Sequence, residues 1–193
     1  GGHTVHLDKA PIDLKDKESL QRGMRMYQNY CLGCHQMEYQ RYSRTFRDLG
    51  IPDEVGMENL AFGAHKVGEY IKNGAPKADQ AKWFGAAPPD LTNVARVRGP
   101  DWIYTYLRSF YVDPTRPFGV NNVVFPMVGM PHVLQELQGV PMKKHEMQLI
   151  DGESKEVDVG IVADGSGELS ADEYDRAVGD LVNYLMYVGQ PSK

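Results

Sequence analysis

The chain's two cysteines lie three positions apart, and a histidine directly follows the second. Cys31, Cys34 and His35 form the pattern Cys-x-x-Cys-His, and none of the other residues of the 193-residue chain is a cysteine. A redox-active dithiol, half of a zinc site and the attachment site of a c-type haem can each use these residue types at this spacing. Because each of these functions needs a fixed geometry, this segment constrains the fold around it more than any other.

The residues before the motif argue against a redox dithiol, which is usually found near the strand–helix junction of a βαβ unit. Residues 18–31 instead predict an amphipathic helix, because their apolar and small residues recur at spacings of three and four. A zinc site would need two further ligands at suitable spacing. No second pair of cysteines exists, and His65, His132 and His145 are scattered along the chain.

Covalent attachment of haem gives each residue of the motif a function. The thiols of Cys31 and Cys34 would add to the two vinyl groups, and the imidazole of His35 would bind the iron from one side. We therefore predict one covalently bound haem c. Both cysteines would be consumed, so no disulfide is expected, and the domain should face a compartment outside the cytoplasm.

A second iron ligand must come from a distant part of the chain, and its nine methionines supply the candidates. Two of them, Met127 and Met130, lie in the loop FPMVGMPHV (125–133), where proline and glycine disfavour a helix. Such a loop can present a thioether rigidly, and we favour Met130 over Met127. His132 is a weaker candidate, and a purely hydrophobic packing role for the loop stays open.

The periodicity of the chain predicts a mainly α fold with long loops and a small β-hairpin insertion. With the haem motif, this describes a c-type cytochrome domain. Gly23 and Tyr27 should form a flat contact with a last helix that carries Tyr184. That last helix should begin at a capping box of Ser170 and Glu173. The predicted helices span 18–31, 66–73, 100–110 and 169–189, the hairpin spans 147–162, residues 111–135 form an ordered loop, and residues 1–17 form an N-terminal arm.

Charge is distributed unevenly along what we expect to be a single domain over 1–193. Residues 1–135 hold 16 basic and 14 acidic residues, whereas residues 136–180 hold 4 and 12. Nucleic acid is a poor partner for such an acidic segment, because phosphates need cationic groups. The acidic insertion at 136–170 suits a solvated face or the docking of a basic protein. Within it, DGSGELSADEYD (164–175) lacks the glycine and final glutamate of an EF-hand, so we predict a turn and helix cap.

The segment GAAPPDLTNVARVRG (85–99) supplies candidates for contacts to the haem edge. Its adjacent prolines fix an extended turn, and Asp90 could cap the helix that follows. Arg96 and Arg98 could pair with the haem propionates, which need cationic or hydrogen-bonding partners. We include Pro89 among the residues expected to contact the haem.

Four pieces of the chain, in order, resemble the cytochrome c1 family in its bacterial type. Members are the c-type haem subunits of the cytochrome bc1 complex (ubiquinol–cytochrome c reductase). The Met-Glu-Tyr-x-x-Tyr run after the haem motif, and Pro-Pro-Asp-Leu followed by Ala-Arg-Val-Arg, are more specific than the motif itself. The matching pieces are RGMRMYQNYCLGCHQMEYQRY (22–42), GAAPPDLTNVARVRG (85–99), VFPMVGMPHVL (124–134) and DLVNYLMYVGQP (180–191).

The resemblance implies a haem iron held by His35 and Met130, with Arg96 matching the family's propionate-contacting arginine. It implies an electron carrier without a catalytic site of its own. Electrons would come from the Rieske iron–sulfur protein and pass to a soluble or membrane-bound cytochrome c, with cytochrome b in the same complex. Family members are anchored by a C-terminal transmembrane helix, which we expect after Lys193, and the domain would lie on the periplasmic face of the inner membrane.

Two other functional classes remain open at this stage. One is a free-standing periplasmic c-type cytochrome, or the haem subunit of a periplasmic dehydrogenase. The other is a haem enzyme such as a peroxidase, which would need an open iron position rather than a second protein ligand.

Overall fold

The computed structural model describes residues 5–35, 37–59, 70–71 and 90–191, and it is mainly α with small β insertions. The helices are α1 (Lys17–Met26), a π-helix (Tyr27–Cys31), α2 (Tyr42–Leu49), α3 (Asp53–Asn59), α4 (Val94–Arg98), α5 (Pro100–Leu107), α6 (Gln135–Gln138) and α7 (Ala171–Val188). The strands are β1 (Met37–Arg41), β2 (Tyr70–Ile71), β3 (Phe110–Val112), β4 (Val120–Asn122), β5 (Pro141–Ile150) and β6 (Glu153–Ala163). They pair in antiparallel twos, β1 with β2, β3 with β4 and β5 with β6.

The first helix begins at an acidic cap and changes its winding before the cysteine motif. The side chain of Asp16 accepts a hydrogen bond of 3.1 Å from the backbone N–H of Ser19. From Tyr27 the helix widens by one residue per turn, and Leu32 N–H donates to Tyr27 O, five residues back, at 2.9 Å. The predicted helix over 18–31 is therefore corrected in its last turn, which is a π-helix.

The chain divides into two compact units, His6–Thr105 with Arg176–Lys193 and Gly1–Val5 with Tyr106–Asp175. In the first unit, α1 crosses α7 closely at Gly23. A β-carbon at Gly23 would lie 2.6 Å from Tyr184 Cβ and would also meet the carbonyl oxygen of Asp180. The rings of Tyr27 and Tyr184 lie 6.0 Å apart and are both fully buried. The predicted contact of the first and last helices at Gly23 is confirmed.

In the other unit, β3 and β4 pair with Phe110 opposite Asn122, and Phe110, Val120 and Val128 form a buried cluster. The prediction of loop throughout 111–135 is wrong here. Proline and glycine flank these strands but do not interrupt their hydrogen bonds. Phe110 also lies in β3, so the helix predicted over 100–110 ends at Leu107.

The hairpin and the last helix confirm their predictions with shifted bounds. The hairpin spans 141–163 rather than 147–162 and is exposed along most of both strands. Before α7, Ser170 N–H donates to Glu173 Oε1 at 3.0 Å, and Glu173 N–H donates to Ser170 Oγ at 3.2 Å. The carboxylate of Asp164 accepts from Ser166 and Val140, which confirms the turn predicted before the helix cap.

Three predictions fall wholly or partly outside the described residues. Of the helix predicted over 66–73, only Tyr70–Ile71 is described, and it forms a strand. Pro89 lies outside the described residues. The prediction of one domain over 1–193 stays a prediction. None of the helices in the described ranges is long and apolar enough to cross a membrane.

Candidate haem-binding site

The cysteine motif folds into a tight turn at the end of the π-helix. The carbonyl oxygen of Cys31 accepts hydrogen bonds from Cys34 N–H at 3.1 Å and from His35 N–H at 2.7 Å. No disulfide joins Cys31 to Cys34. The widened turn that ends at Cys31 is a kind of helix distortion often found at functional sites. The structure thus places two thiols and an imidazole on one short, hydrogen-bonded turn.

A buried tyrosine holds the end of this turn. The Tyr27 hydroxyl donates to His35 O at 2.8 Å, and the Tyr27 ring is wholly buried between α1 and α7. Since Tyr27 precedes His35 by eight residues, this bond closes the turn back onto its own helix. The backbone of the predicted iron ligand is therefore fixed by the packing of two helices.

The environment of the thiols is one of low polarity. Burial raises the pKa of the Cys31 thiol to about 12, with a smaller contribution from neighbouring Cys34, although part of the Cys31 residue is exposed. Burial also raises the pKa of the Cys34 thiol. A redox dithiol needs at least one thiolate near neutral pH. A pKa of about 12 leaves very little thiolate on Cys31 near neutral pH, which does not suit a redox role for that thiol.

Next to the thiols, Gln28 is only 4% exposed, and neither polar atom of its amide has a hydrogen-bond partner in the part of the chain that the structure describes. A buried amide without a partner is destabilising. Its position one helical turn before Cys31 fits a site that encloses a further polar group.

The two candidate methionines have different surroundings in the unit formed by residues 106–175. Met127 is 63% exposed, has a φ of +62°, and its Sδ lies 3.7 Å from Arg116 Nη1. Met130 is half-buried and packs against the cluster of Phe110, Val120 and Val128. A ligand to a haem iron needs a shielded position, so these surroundings favour Met130.

Three polar side chains fix the backbone of the methionine loop. The guanidinium of Arg116 donates to Met127 O at 3.2 Å and to Val128 O at 3.3 Å. Asn121 Oδ1 accepts from Met127 N–H at 2.8 Å. Asn122 Oδ1 accepts from the backbone N–H groups of residues 124 and 125, and Asn122 Nδ2 donates to the carbonyl of residue 106. The loop is therefore rigid without regular secondary structure.

The two arginines of α4 are exposed, and their contacts to a propionate stay predictions. Arg96 packs its backbone beside Gly189 in the same unit. The guanidinium of Arg98 stacks 4.5 Å above the ring of Trp102. Since a stacked arginine is less free to reach a propionate, Arg96 remains the better candidate.

His132 is a poor iron ligand in this structure. It is buried, its Nε2 lies 2.6 Å from Gln138 Oε1, and its ring stacks on Phe110 with centroids 4.7 Å apart. Burial lowers its pKa to about 4, although the bond to Gln138 works in the opposite direction. A neutral imidazole stacked in the core and bonded to Gln138 is explained by packing alone.

The donors described here fit a covalently bound haem. Two thiols are present for thioether bonds, an imidazole follows them directly, and the half-buried thioether of Met130 lies on a hydrogen-bonded loop. Cys31, Cys34, His35 and Arg96 belong to one compact unit and Met130 to the other. Joint ligation by His35 and Met130 stays a prediction.

Sequence reasoning missed the residues that support the methionine. Arg116, Asn121 and Asn122 lie in the stretch predicted as loop, and Tyr106 lies in the helix predicted over 100–110. The adjacent asparagines were a usable signal, because asparagine side chains often bond loop backbone. Nothing in the spacing of Tyr106 indicates that its hydroxyl meets Met130, 24 residues later.

Comparison with known proteins adds an independent line of information. The sequence profile of the Cytochrome C1 family matches residues 8–158. Cytochrome c1 of Allochromatium vinosum is 51% identical over 194 residues, covering 98% of this chain and 78% of that protein. The ammonia monooxygenase gamma subunit of Nitrosomonas europaea is 42% identical over 190 residues, covering 98% and 76%. Cytochrome c1 of Rhodospirillum rubrum is 30% identical over 135 residues, covering 58% and 50%.

Proposed function

The chain belongs to the cytochrome c1 family, and from this we propose that it is the electron-carrying haem subunit of a bacterial cytochrome bc1 complex. Its cofactor is the covalently bound c-type haem that the family carries. The observation that carries the proposal is the 51% identity over nearly the whole chain, together with an intact Cys-x-x-Cys-His turn whose His35 carbonyl accepts a hydrogen bond from the buried Tyr27.

Four residues of the chain would hold this cofactor, each through a different contact. Cys31 and Cys34 would tether it, His35 would bind the iron on one side, and Met130 would bind it on the other. When bound, the haem supplies a one-electron ferric/ferrous couple. A thioether opposite an imidazole raises the reduction potential, and a packed, dry pocket works in the same direction because it disfavours the more highly charged ferric state.

With both iron positions taken by protein ligands, the site would leave no place for a substrate or peroxide. The chain would then position the haem, set its reduction potential and dock the partner proteins, without a catalytic acid or base. Arg96 and Pro89 complete the proposed haem contacts at the edge of the ring. Charged arginine is suited to propionate, which it can bind with two parallel hydrogen bonds.

The partners belong to the same proposal. Electrons would arrive from the Rieske iron–sulfur protein and leave to a cytochrome c, next to cytochrome b on the periplasmic face of the inner membrane. The excess of acidic residues over 136–180 supports docking of a basic acceptor, whose association would be fast and sensitive to salt.

A second candidate is the haem subunit of a different membrane oxidoreductase. The observation that favours it is the 42% identity to a protein named ammonia monooxygenase gamma subunit. In that case the chain would keep its haem and its electron-carrier chemistry but would assemble with other subunits.

Purification through a tag on this chain, from membranes of its source organism in mild detergent, separates the two candidates. We expect cytochrome b and the Rieske protein to co-purify, and the sample to reduce cytochrome c with ubiquinol. A His35→Ala variant is the control and should lose that activity. The proposal would be contradicted if the subunits of another oxidoreductase co-purified, or if the haem protein purified alone.

A further inference from the structure

The half-buried sulfur of Met130 has a hydrogen-bond donor of its own. The hydroxyl of Tyr106 donates to Met130 Sδ at 3.5 Å, within the range for a sulfur acceptor. Sulfur is a weak acceptor, so a half-buried tyrosine hydroxyl that donates to it is worth explaining. Both residues lie in the same compact unit, and both pack against the cluster of Phe110, Val120 and Val128.

The position of the Tyr106 ring is fixed by its neighbours. Its centroid lies 5.3 Å from that of Phe110 at an angle of 57°, and 6.4 Å from that of Phe125 at 74°. The backbone carbonyl of Tyr106 also accepts from Asn122 Nδ2 at 2.8 Å. Asn122 in turn binds the backbone that leads into the methionine loop. One asparagine therefore ties the donor and the loop of the acceptor together.

The chemistry of a thioether lets both contacts exist at once. Its sulfur has two lone pairs, so one can bind iron while the other accepts a hydrogen bond from the hydroxyl. A hydrogen bond withdraws electron density from the sulfur. Ferric iron needs that density more than ferrous iron does, so the bond favours the reduced state.

We propose that Tyr106 is a positioning residue for Met130, and that its hydroxyl raises the reduction potential of the haem and keeps the sulfur on the iron. This inference rests on the proposed function, because it takes Met130 as the iron ligand. Met127 also has a donor, since Arg116 Nη1 lies 3.7 Å from its sulfur, but its side chain is 63% exposed and does not pack against the cluster around Phe110.

Tyr106→Phe in the holoprotein is the test, because phenylalanine keeps the aromatic packing and removes only the hydroxyl. We expect the ferric/ferrous equilibrium to shift about threefold toward ferric, which lowers the midpoint potential by about 28 mV, since tenfold is 59 mV for one electron. The sulfur-to-iron charge-transfer band of the ferric protein should move, and the ferrous protein should bind carbon monoxide faster.

Tyr174→Phe is the matched control in the same unit. The Tyr174 hydroxyl is buried and donates to Leu107 O at 2.8 Å, so its loss removes a comparable bond that does not involve sulfur. This variant should lose stability but keep the potential and the charge-transfer band.

The possible failures are distinguishable. If the parent protein has the charge-transfer band and Tyr106→Phe leaves both band and potential unchanged, the role of Tyr106 is overturned and Met130 ligation stands. Equal potential shifts in Tyr106→Phe and Tyr174→Phe would also overturn it, because the effect would then be general loosening. If the parent lacks the band, Met130 ligation and the role of Tyr106 both fail.

Discussion

At the scale of single residues, Gly23 shows how the absence of a side chain sets the distance between two helices. Glycine in a helix costs about 0.5–1 kcal/mol relative to alanine, so Gly23→Ala would be stabilising if only helix propensity counted. The new methyl group would meet Asp180 O and lie 2.6 Å from Tyr184 Cβ. Overpacking of this kind costs roughly 1–3 kcal/mol. We therefore expect Gly23→Ala to lower the free energy of unfolding, as measured by urea titration.

Gly33→Ala is the matched control for that substitution, because a β-carbon at Gly33 would meet no atom of the described residues beyond its chain neighbours within 4 Å. Surface changes of this type usually stay within about 0.5 kcal/mol. If Gly23→Ala proved as stable as Gly33→Ala, the close crossing of α1 and α7 would be wrong.

At the scale of elements, the β5–β6 hairpin holds five acidic and three basic residues and contributes few buried residues. Leu149 is 79% exposed, and Met147 is 65% exposed. At its base, the Lys143 ammonium lies 4.2 Å above the ring of Tyr111. We expect replacement of residues 145–158 by a Gly-Asn-Gly turn to change the free energy of unfolding by less than about 1 kcal/mol, because little apolar area is lost from the core.

The haem absorption spectrum of the shortened variant should equal that of the parent. Lys143→Ala in the full-length chain is the control, because it removes the contact with Tyr111 but keeps the hairpin. A large loss of stability or a changed haem spectrum in the shortened variant would show that the hairpin belongs to the core.

The methionine loop should respond to acid through Asp113. Hydrogen bonds from the Thr115 hydroxyl, the Asn121 amide and the Thr115 N–H hold the pKa of this carboxyl below its usual value of 3.8. Because the folded pKa is lowered, the stabilisation is fully present above about pH 4 and is lost as the pH falls through the folded value. As the pH falls below about 4, the thermal unfolding temperature of Asp113→Asn should therefore decrease less than that of the parent. Parallel curves for the variant and the parent would contradict this.

At the scale of the whole molecule, the features that the sequence predicts correctly are those defined by contiguous residues or by the spacing of residues along a helix. The haem motif, the capping box at Ser170 and the small residue at Gly23 each need only their near neighbours in sequence to be recognised. The side chains that support Met130, such as Tyr106, are far from it in the sequence. The periodicity of the sequence therefore cannot predict these contacts. The π-helix before Cys31 was missed because its apolar spacing also fits an α-helix.

The central claim is that His35 and Met130 hold one covalently attached haem from opposite sides. The most direct measurement is the sulfur-to-iron charge-transfer band of the ferric holoprotein, compared between the parent, Met130→Leu and Met127→Leu. We expect the band in the parent and in Met127→Leu, and its loss in Met130→Leu together with a lower midpoint potential. A band that survives in Met130→Leu, or disappears in Met127→Leu, would contradict it.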